Sequence, residues 1–98
     1  MKLWVDDERP APEGWVWAKT VSEARWALMC GRAGWHQKVS EVSLDHDLGG
    51  DSTTREVVLW MCENDYWPEI IRVHTANPVG RDWLVGMINK YGPGVQTS

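Results

Sequence analysis

The stretch Glu41-Val42-Ser43-Leu44-Asp45-His46-Asp47-Leu48-Gly49-Gly50 decides how this chain is read. Glu41 to Leu44 suits a short strand, and it runs straight into a loop of acid, imidazole and glycine. A helix follows from about Thr53, where Thr53 and Glu56 have the spacing of a capping box. Val57, Trp60, Met61 and Asn64 line one side of it, and Pro68 marks its end. A strand that delivers polar residues to a loop before a helix is one half of a parallel β-α-β unit.

The same pattern recurs on both sides. Ile70 to His74 is a β-branched strand, followed by Asn77-Pro78, a cap with proline at the first helical position. Val79, Trp83, Leu84, Met87 and Ile88 give that last helix its apolar face, and Gly92-Pro93 closes it. Towards the N-terminus, Thr20 and Glu23 open a helix with Val21, Ala24, Ala27 and Leu28 on one face, stopped by Gly31 and Gly34. Lys2 to Asp6 reads as a buried strand, and Trp15 to Ala18 as an edge strand of open direction. Only Glu8 to Gly14 precede that edge strand, whereas a parallel crossover commonly takes about a dozen residues. The order β, β, α, β, α, β, α predicts an α/β fold of about four mostly parallel strands with about three helices packed on the faces of the sheet.

Composition narrows the function classes. The chain has 98 residues, 43% hydrophobic and 24% charged, which fits one globular domain, with a loose tail expected from about Gly94. A net charge of −4 argues against duplex nucleic acid as a partner but leaves room for a small phosphorylated ligand. The longest apolar run, Val57 to Cys62, is far short of the roughly 20 residues a membrane helix needs, so no membrane partner is expected. Charges from Lys2 to Arg9 leave no apolar region for a signal peptide. Cys30 and Cys62 both fall in helical patterns and read as reduced packing thiols, which suggests the cytoplasm. The odd feature is eight Trp against two Tyr and no Phe. Trp60 and Trp83 sit on core-directed helix faces. Trp15, Trp17 and Trp35 lie on or near the edge strand and loops, where they would stack a purine or form a homodimer interface.

Ligands of a parallel sheet bind beyond the carboxyl ends of its strands. Those ends carry Asp6, Asp7, Glu8 and Arg9, then Asp45, His46 and Asp47, then His74, Thr75 and Asn77. Carboxylates gathered this closely repel one another unless a cation or proton intervenes. The oxygen-rich set suits a divalent metal, Mg²⁺ first, and the imidazoles keep Mn²⁺ or Zn²⁺ open.

Asp6-Asp7, Asp45 and Thr75, each placed after a strand, resemble the response-regulator receiver domain. The stretch Trp15 to Leu28 is similar to its second strand and following helix. The resemblance covers roughly residues 2 to 91, without a fifth strand or its lysine, and implies a minimal receiver- or flavodoxin-like sheet. It also implies that Asp6 and Asp7 hold Mg²⁺, that Asp45 stands at the phosphoacceptor position, and that Thr75 contacts the phosphoryl group. Asp6-Asp7-Glu8-Arg9-Pro10, Leu44-Asp45-His46-Asp47-Leu48-Gly49 and Val73-His74-Thr75-Ala76-Asn77-Pro78 look more like a compact, divergent group, the cyclic-phosphate processing receiver domains. That resemblance implies the opening of cyclic phosphodiesters on nucleotide, RNA-end or ADP-ribose products.

The expected activity is a metal-dependent phosphoesterase acting on such a cyclic phosphate. Asp6, Asp7, Asp45 and Asp47 are expected to hold the metal, with Asp45, His46 and His74 catalytic. Arg9, Thr75, Asn77 and Arg81 are expected to bind substrate, aided by the amides of Val79 and Gly80 at the helix N-terminus. The competing expectations are a degenerate receiver used for phosphorylation- or ligand-dependent interaction, and a nucleotide-sequestering protein without turnover.

Overall fold

The computed structural model describes residues 1–96 and has four short strands and three helices. They are β1 (Lys2–Val5), β2 (Trp15–Ala18), α1 (Val21–Ala33), β3 (Glu41–Leu44), α2 (Arg55–Asn64), β4 (Ile70–Val73) and α3 (Pro78–Tyr91). The sheet order is β2-β1-β3-β4, and every pairing is parallel. The direction of β2, open from sequence, is therefore parallel. The loop 6–14 manages this crossover because each strand has only 4 residues. The return path is then roughly 13 Å at about 3.3 Å per residue, within reach of an extended loop.

That short loop has a consequence for the layers. The connections β2-α1-β3 and β3-α2-β4 step across the sheet in the same direction, so right-handed crossovers place their helices on one face. α1 packs on α2 and α2 on α3. Leu3, Val5, Val42, Leu44 and Ile71 point to that side and form one core with Leu28, Val57, Val58, Met61, Leu84 and Ile88, all fully buried. The expectation of helices on both faces is corrected: β1-β2 steps the other way, and its loop has no helix to cover the second face.

Strand alternation gives that second face Lys2, Trp4, Trp15, Trp17, Glu41, Ser43 and Arg72. Here tryptophan takes the place of a helix layer. Trp4 meets Trp15 edge to face at 5.9 Å, Lys2 lies over Trp15, and Lys19 lies over Trp17. Arg72 and Glu41 pair across β4 and β3 at 2.7 Å. Three of the eight tryptophans are thus accounted for by a helix that the loop is too short to form. Trp60 is buried and Trp83 packs against the core, as read from sequence. Trp35 and Trp26 are largely exposed, at 77% and 63%.

Two local expectations change. The Thr53–Glu56 capping box does not form: Thr53 is held in a bridge to Asp47, and α2 starts at Arg55 behind Thr54. The Thr54 hydroxyl turns inward and donates to the Asp45 carbonyl at 2.6 Å, tying the start of α2 to the site. The tail from Gly94, expected to be loose, is tied to the β4 edge as far as Gln96. Val95 bridges Ile71 in parallel, and the Gln96 amide donates to the Ile71 carbonyl. Cys30 and Cys62 are both free thiols. No helix among the described residues is long and apolar enough to cross a membrane.

Candidate active site: an acidic cleft between two histidine–aspartate pairs

β1, β3 and β4 end in step, because the Asp45 amide bonds the Val5 carbonyl and the His74 amide bonds the Leu44 carbonyl. Their following residues therefore open onto one edge. A cleft of about 350 Å³ lies there, lined by Asp7, Glu8, Arg9, Asp45, Asp47, Gly49, Gly50, Thr75, Ala76 and Asn77. One carboxylate oxygen from each of Asp6, Asp7 and Asp45 lies within 4.8 Å of the others. Asp6 and Asp45 are buried and Asp7 is partly buried. Asp45 Oδ1 accepts from the His46 amide at 2.8 Å.

Asp6 forms the floor. Its Oδ1 accepts from the amides of Glu8 and Arg9 at 2.9 and 3.0 Å, which fixes the turn leaving β1. Its Oδ2 lies 3.0 Å from His74 Nε2. Burial pushes the Asp6 carboxyl up, but the two amides and the imidazole outweigh it and hold the group below its ordinary value. A carboxylate only accepts, so His74 carries its proton on Nε2, and Nδ1 accepts from the Ser43 hydroxyl at 2.7 Å. Trp4 stacks on the His74 ring at 3.8 Å, nearly parallel. Burial lowers the His74 pKa below its ordinary value, only partly offset by Asp6 and Asp45.

A second pair brings Asp47 into the cleft lining. His46 is buried, and its Nδ1 lies 3.0 Å from Asp47 Oδ1. Asp47 Oδ2 accepts from the Asn77 side-chain amide at 3.2 Å. Those two bonds, Asn77 foremost, hold the Asp47 carboxyl below its ordinary value against the small opposing effect of burial. Asn77 also caps α3, its Oδ1 accepting from the Gly80 amide at 3.1 Å. The His46 ring fills the space where a Cβ on Gly80 would stand, so this glycine is needed for loop and helix to meet.

The structure sorts the residues singled out from sequence. Asp7, Asp45, Asp47, Arg9, Thr75 and Asn77 line the cleft; Asp6, His46, His74 and Arg81 do not. Asp47, expected among the metal ligands, stands outside the Asp6-Asp7-Asp45 group, and each of its oxygens has a partner, His46 for one and Asn77 for the other. Arg81 donates to the Val73 carbonyl at 3.1 Å and so finishes β4. Arg9 donates to the His74 carbonyl at 2.7 Å and approaches Asp6 Oδ2 to 3.6 Å, with half of its side chain exposed. The Gly80 amide expected for phosphate is spent on the Asn77 cap. Ser43, Trp4 and Arg55 belong to the site without having been singled out for it, while Glu8 and the Gly49-Gly50 turn, placed at this edge from sequence, line the cleft. Gly49 has φ +88°, and a Cβ there would stand 3.2 Å from Asp7 Oδ2. The signal for Ser43 and Trp4 was present in strand alternation, which places both on the face that continues to His74.

A short parallel sheet with an acidic cluster at its carboxyl edge defines a compact α/β domain of the receiver type. The family description "Cyclic-phosphate processing Receiver domain" matches residues 1–90, and the chain belongs to that family. No curated protein and no solved structure matches the chain. Its family therefore ties this receiver-like domain to cyclic-phosphate processing.

Proposed function

We propose that this protein is a divalent-cation-dependent hydrolase of a small cyclic phosphodiester carried on a nucleotide-type molecule. The observation that supports it best is the meeting of Asp6, Asp7 and Asp45 oxygens within 4.8 Å beside a cleft of about 350 Å³, at the lower end of small-molecule site volumes. The donors fit a hard cation: all three are carboxylate oxygens, and neither imidazole lines the cleft. Three carboxylates, two of them buried, repel unless countercharge is supplied. This favours Mg²⁺ or Mn²⁺ over Zn²⁺. When bound, the cation offsets phosphate charge and eases deprotonation of water.

The chain's own residues divide the remaining work. The Arg9 guanidinium keeps N–H groups free for a phosphate oxygen, and Thr75 lines the same space, its hydroxyl accepting from the Asn77 backbone amide at 3.2 Å. Asp47 lines the cleft, each of its oxygens keeps acceptor capacity beyond its one bond, and it accepts the proton of the attacking water. The new P–O bond forms to that water, the ring P–O bond breaks, and the leaving oxygen takes a proton from solvent at the open mouth. Product is a linear phosphomonoester. His74 and His46 act as positioning residues, each turning its single N–H to an aspartate of the site.

The test is a panel of cyclic mononucleotides, 2′,3′-cyclic RNA ends and ADP-ribose cyclic phosphate with Mg²⁺ or Mn²⁺, with products identified by mass. A linear monophosphate that disappears on chelation is the expected result. Ligand bound and returned intact under every condition overturns hydrolysis in favour of sequestration. A stable phosphoryl adduct on Asp45 after acetyl phosphate treatment, without turnover, would instead mark a phosphorylated receiver.

A further inference from the structure

We infer that Arg55, the first residue of α2, is a positioning residue that sets the Asp47 carboxylate through His46. The inference rests on the reading of Asp47 as the proton acceptor of the cleft. Arg55 Nε donates to His46 Nε2 at 2.9 Å. A guanidinium N–H only donates, so Nε2 is bare and the His46 proton lies on Nδ1, directed at Asp47 Oδ1 at 3.0 Å. A ring turned over by half a rotation would offer carbon to both partners. Asp47 alone is a poor anchor, because its side chain is 58% exposed and water competes for it. Arg55 supplies the inner anchor and is itself held, its guanidinium lying over the Trp83 ring at 4.9 Å. The glycine contact of Gly80 closes one face of the imidazole. The result is a run of contacts from Trp83 on α3, through Arg55 on α2 and His46, to a carboxylate on the cleft wall that Asn77 holds from the other side. Arg55 itself does not line the cleft.

The experiment compares wild type, Arg55→Met and Arg55→Lys by two-bond ¹⁵N–¹H imidazole spectra, by the Asn77 side-chain amide signals, and by steady-state kinetics. Wild type shows His46 as the single Nδ1–H tautomer. Arg55→Met, folded by circular dichroism, gives mixed His46 tautomers and a shifted Asn77 amide, with kcat lower by roughly tenfold and KM within about twofold. Arg55→Lys, which restores a donor, recovers the tautomer and most of kcat. Arg55→Met with a wild-type His46 tautomer and an unmoved Asn77 amide overturns the inference, whatever its activity. Should no cyclic phosphate be turned over by wild type, the hydrolase reading fails, while the spectra still decide whether Arg55 sets Asp47.

Discussion

The two histidine–aspartate pairs flanking the cleft are built from the same parts with the burial reversed. In Asp6–His74 the carboxylate is the inner member, fully buried under two backbone amides, and the imidazole is the outer one. In His46–Asp47 the imidazole is buried and the carboxylate faces the cleft. Each imidazole spends its one N–H on its aspartate and accepts from a fixed donor behind it. That donor is the Ser43 hydroxyl for His74 and the Arg55 guanidinium for His46. The tautomers are therefore opposite, Nε2–H and Nδ1–H. Under the proposed hydrolase reading, the carboxylate sealed below the cleft would gather charge with Asp7 and Asp45, whereas the carboxylate at the opening would meet substrate.

If that division holds, removing a charge from the floor has the largest effect. Asp45→Asn and Asp6→Asn should each lower turnover by roughly a thousandfold, beyond the ~10–100-fold typical when a partner one step from the metal is lost. Both should lack the rise in melting temperature with Mg²⁺ that the proposed metal site predicts for the wild type. Asp6→Asn also has a pH signature in chelator. The folded carboxyl titrates below its ordinary 3.8, so the stability it contributes is present above that pH and is lost as pH falls through the folded value. The melting gap between wild type and variant should thus close on acidification below about pH 4; a gap unchanged with pH would show that Asp6 contributes no net charge interaction to folding.

The histidines separate the two pairs more finely. His74→Gln should weaken Mg²⁺ binding by about 10–100-fold, because it loosens a floor carboxylate. His46→Gln should leave Mg²⁺ binding near wild type and lower kcat by a similar factor. The same Mg²⁺ affinity in both variants would dissolve the distinction. The double variant should be close to the product of the single effects, since the pairs share no partner.

Much of this was legible before any coordinates. Strand ends placed Asp6, Asp7, Asp45, Asp47, Thr75 and Asn77 at one edge, and cap chemistry placed Asn77 and Pro78 at the start of α3. The partners of His46 and His74 were not legible, because sequence alone offered both as catalytic imidazoles beside a metal site. What occupies them comes from elsewhere: Ser43 and Trp4 from neighbouring strands, Arg55 from a helix that starts later than its threonines suggest. The uncovered sheet face was hidden for a similar reason. Loop 6–14 gave no strand direction, and without that direction the tryptophans had no common side.

Gly80→Ala tests the His46–Asp47 pair from the helix side. The added methyl overlaps the His46 ring and must displace either the loop or the start of α3. An overpacking cost of about 1–3 kcal/mol is expected, read as a drop in unfolding midpoint in denaturant. His74 spectra should be unchanged, since that ring is held by Asp6, Ser43 and Trp4. A variant as stable as wild type would mean that His46 moves freely and does not hold Asp47.

The smallest effect should come from Trp4→Phe, which shrinks the plate stacked on His74. Aromatic pairs of this kind contribute about 0.5–1.5 kcal/mol beyond their area, so a loss within that range is expected. The pH dependence carries more information than the size. In wild type, burial holds the His74 pKa below its ordinary 6.5, so as pH falls through 6.5 the unfolded chain takes a proton that the native ring refuses, and stability declines. A smaller ring admits water to the imidazole and lets its pKa rise towards 6.5. Trp4→Phe should therefore be less stable than wild type above neutrality but lose less on acidification to about pH 5, a convergence visible in paired melts. Parallel curves would show that Trp4 packs without desolvating His74, and the Asp6–His74 pair would then owe its lowered imidazole pKa to the rest of its surroundings.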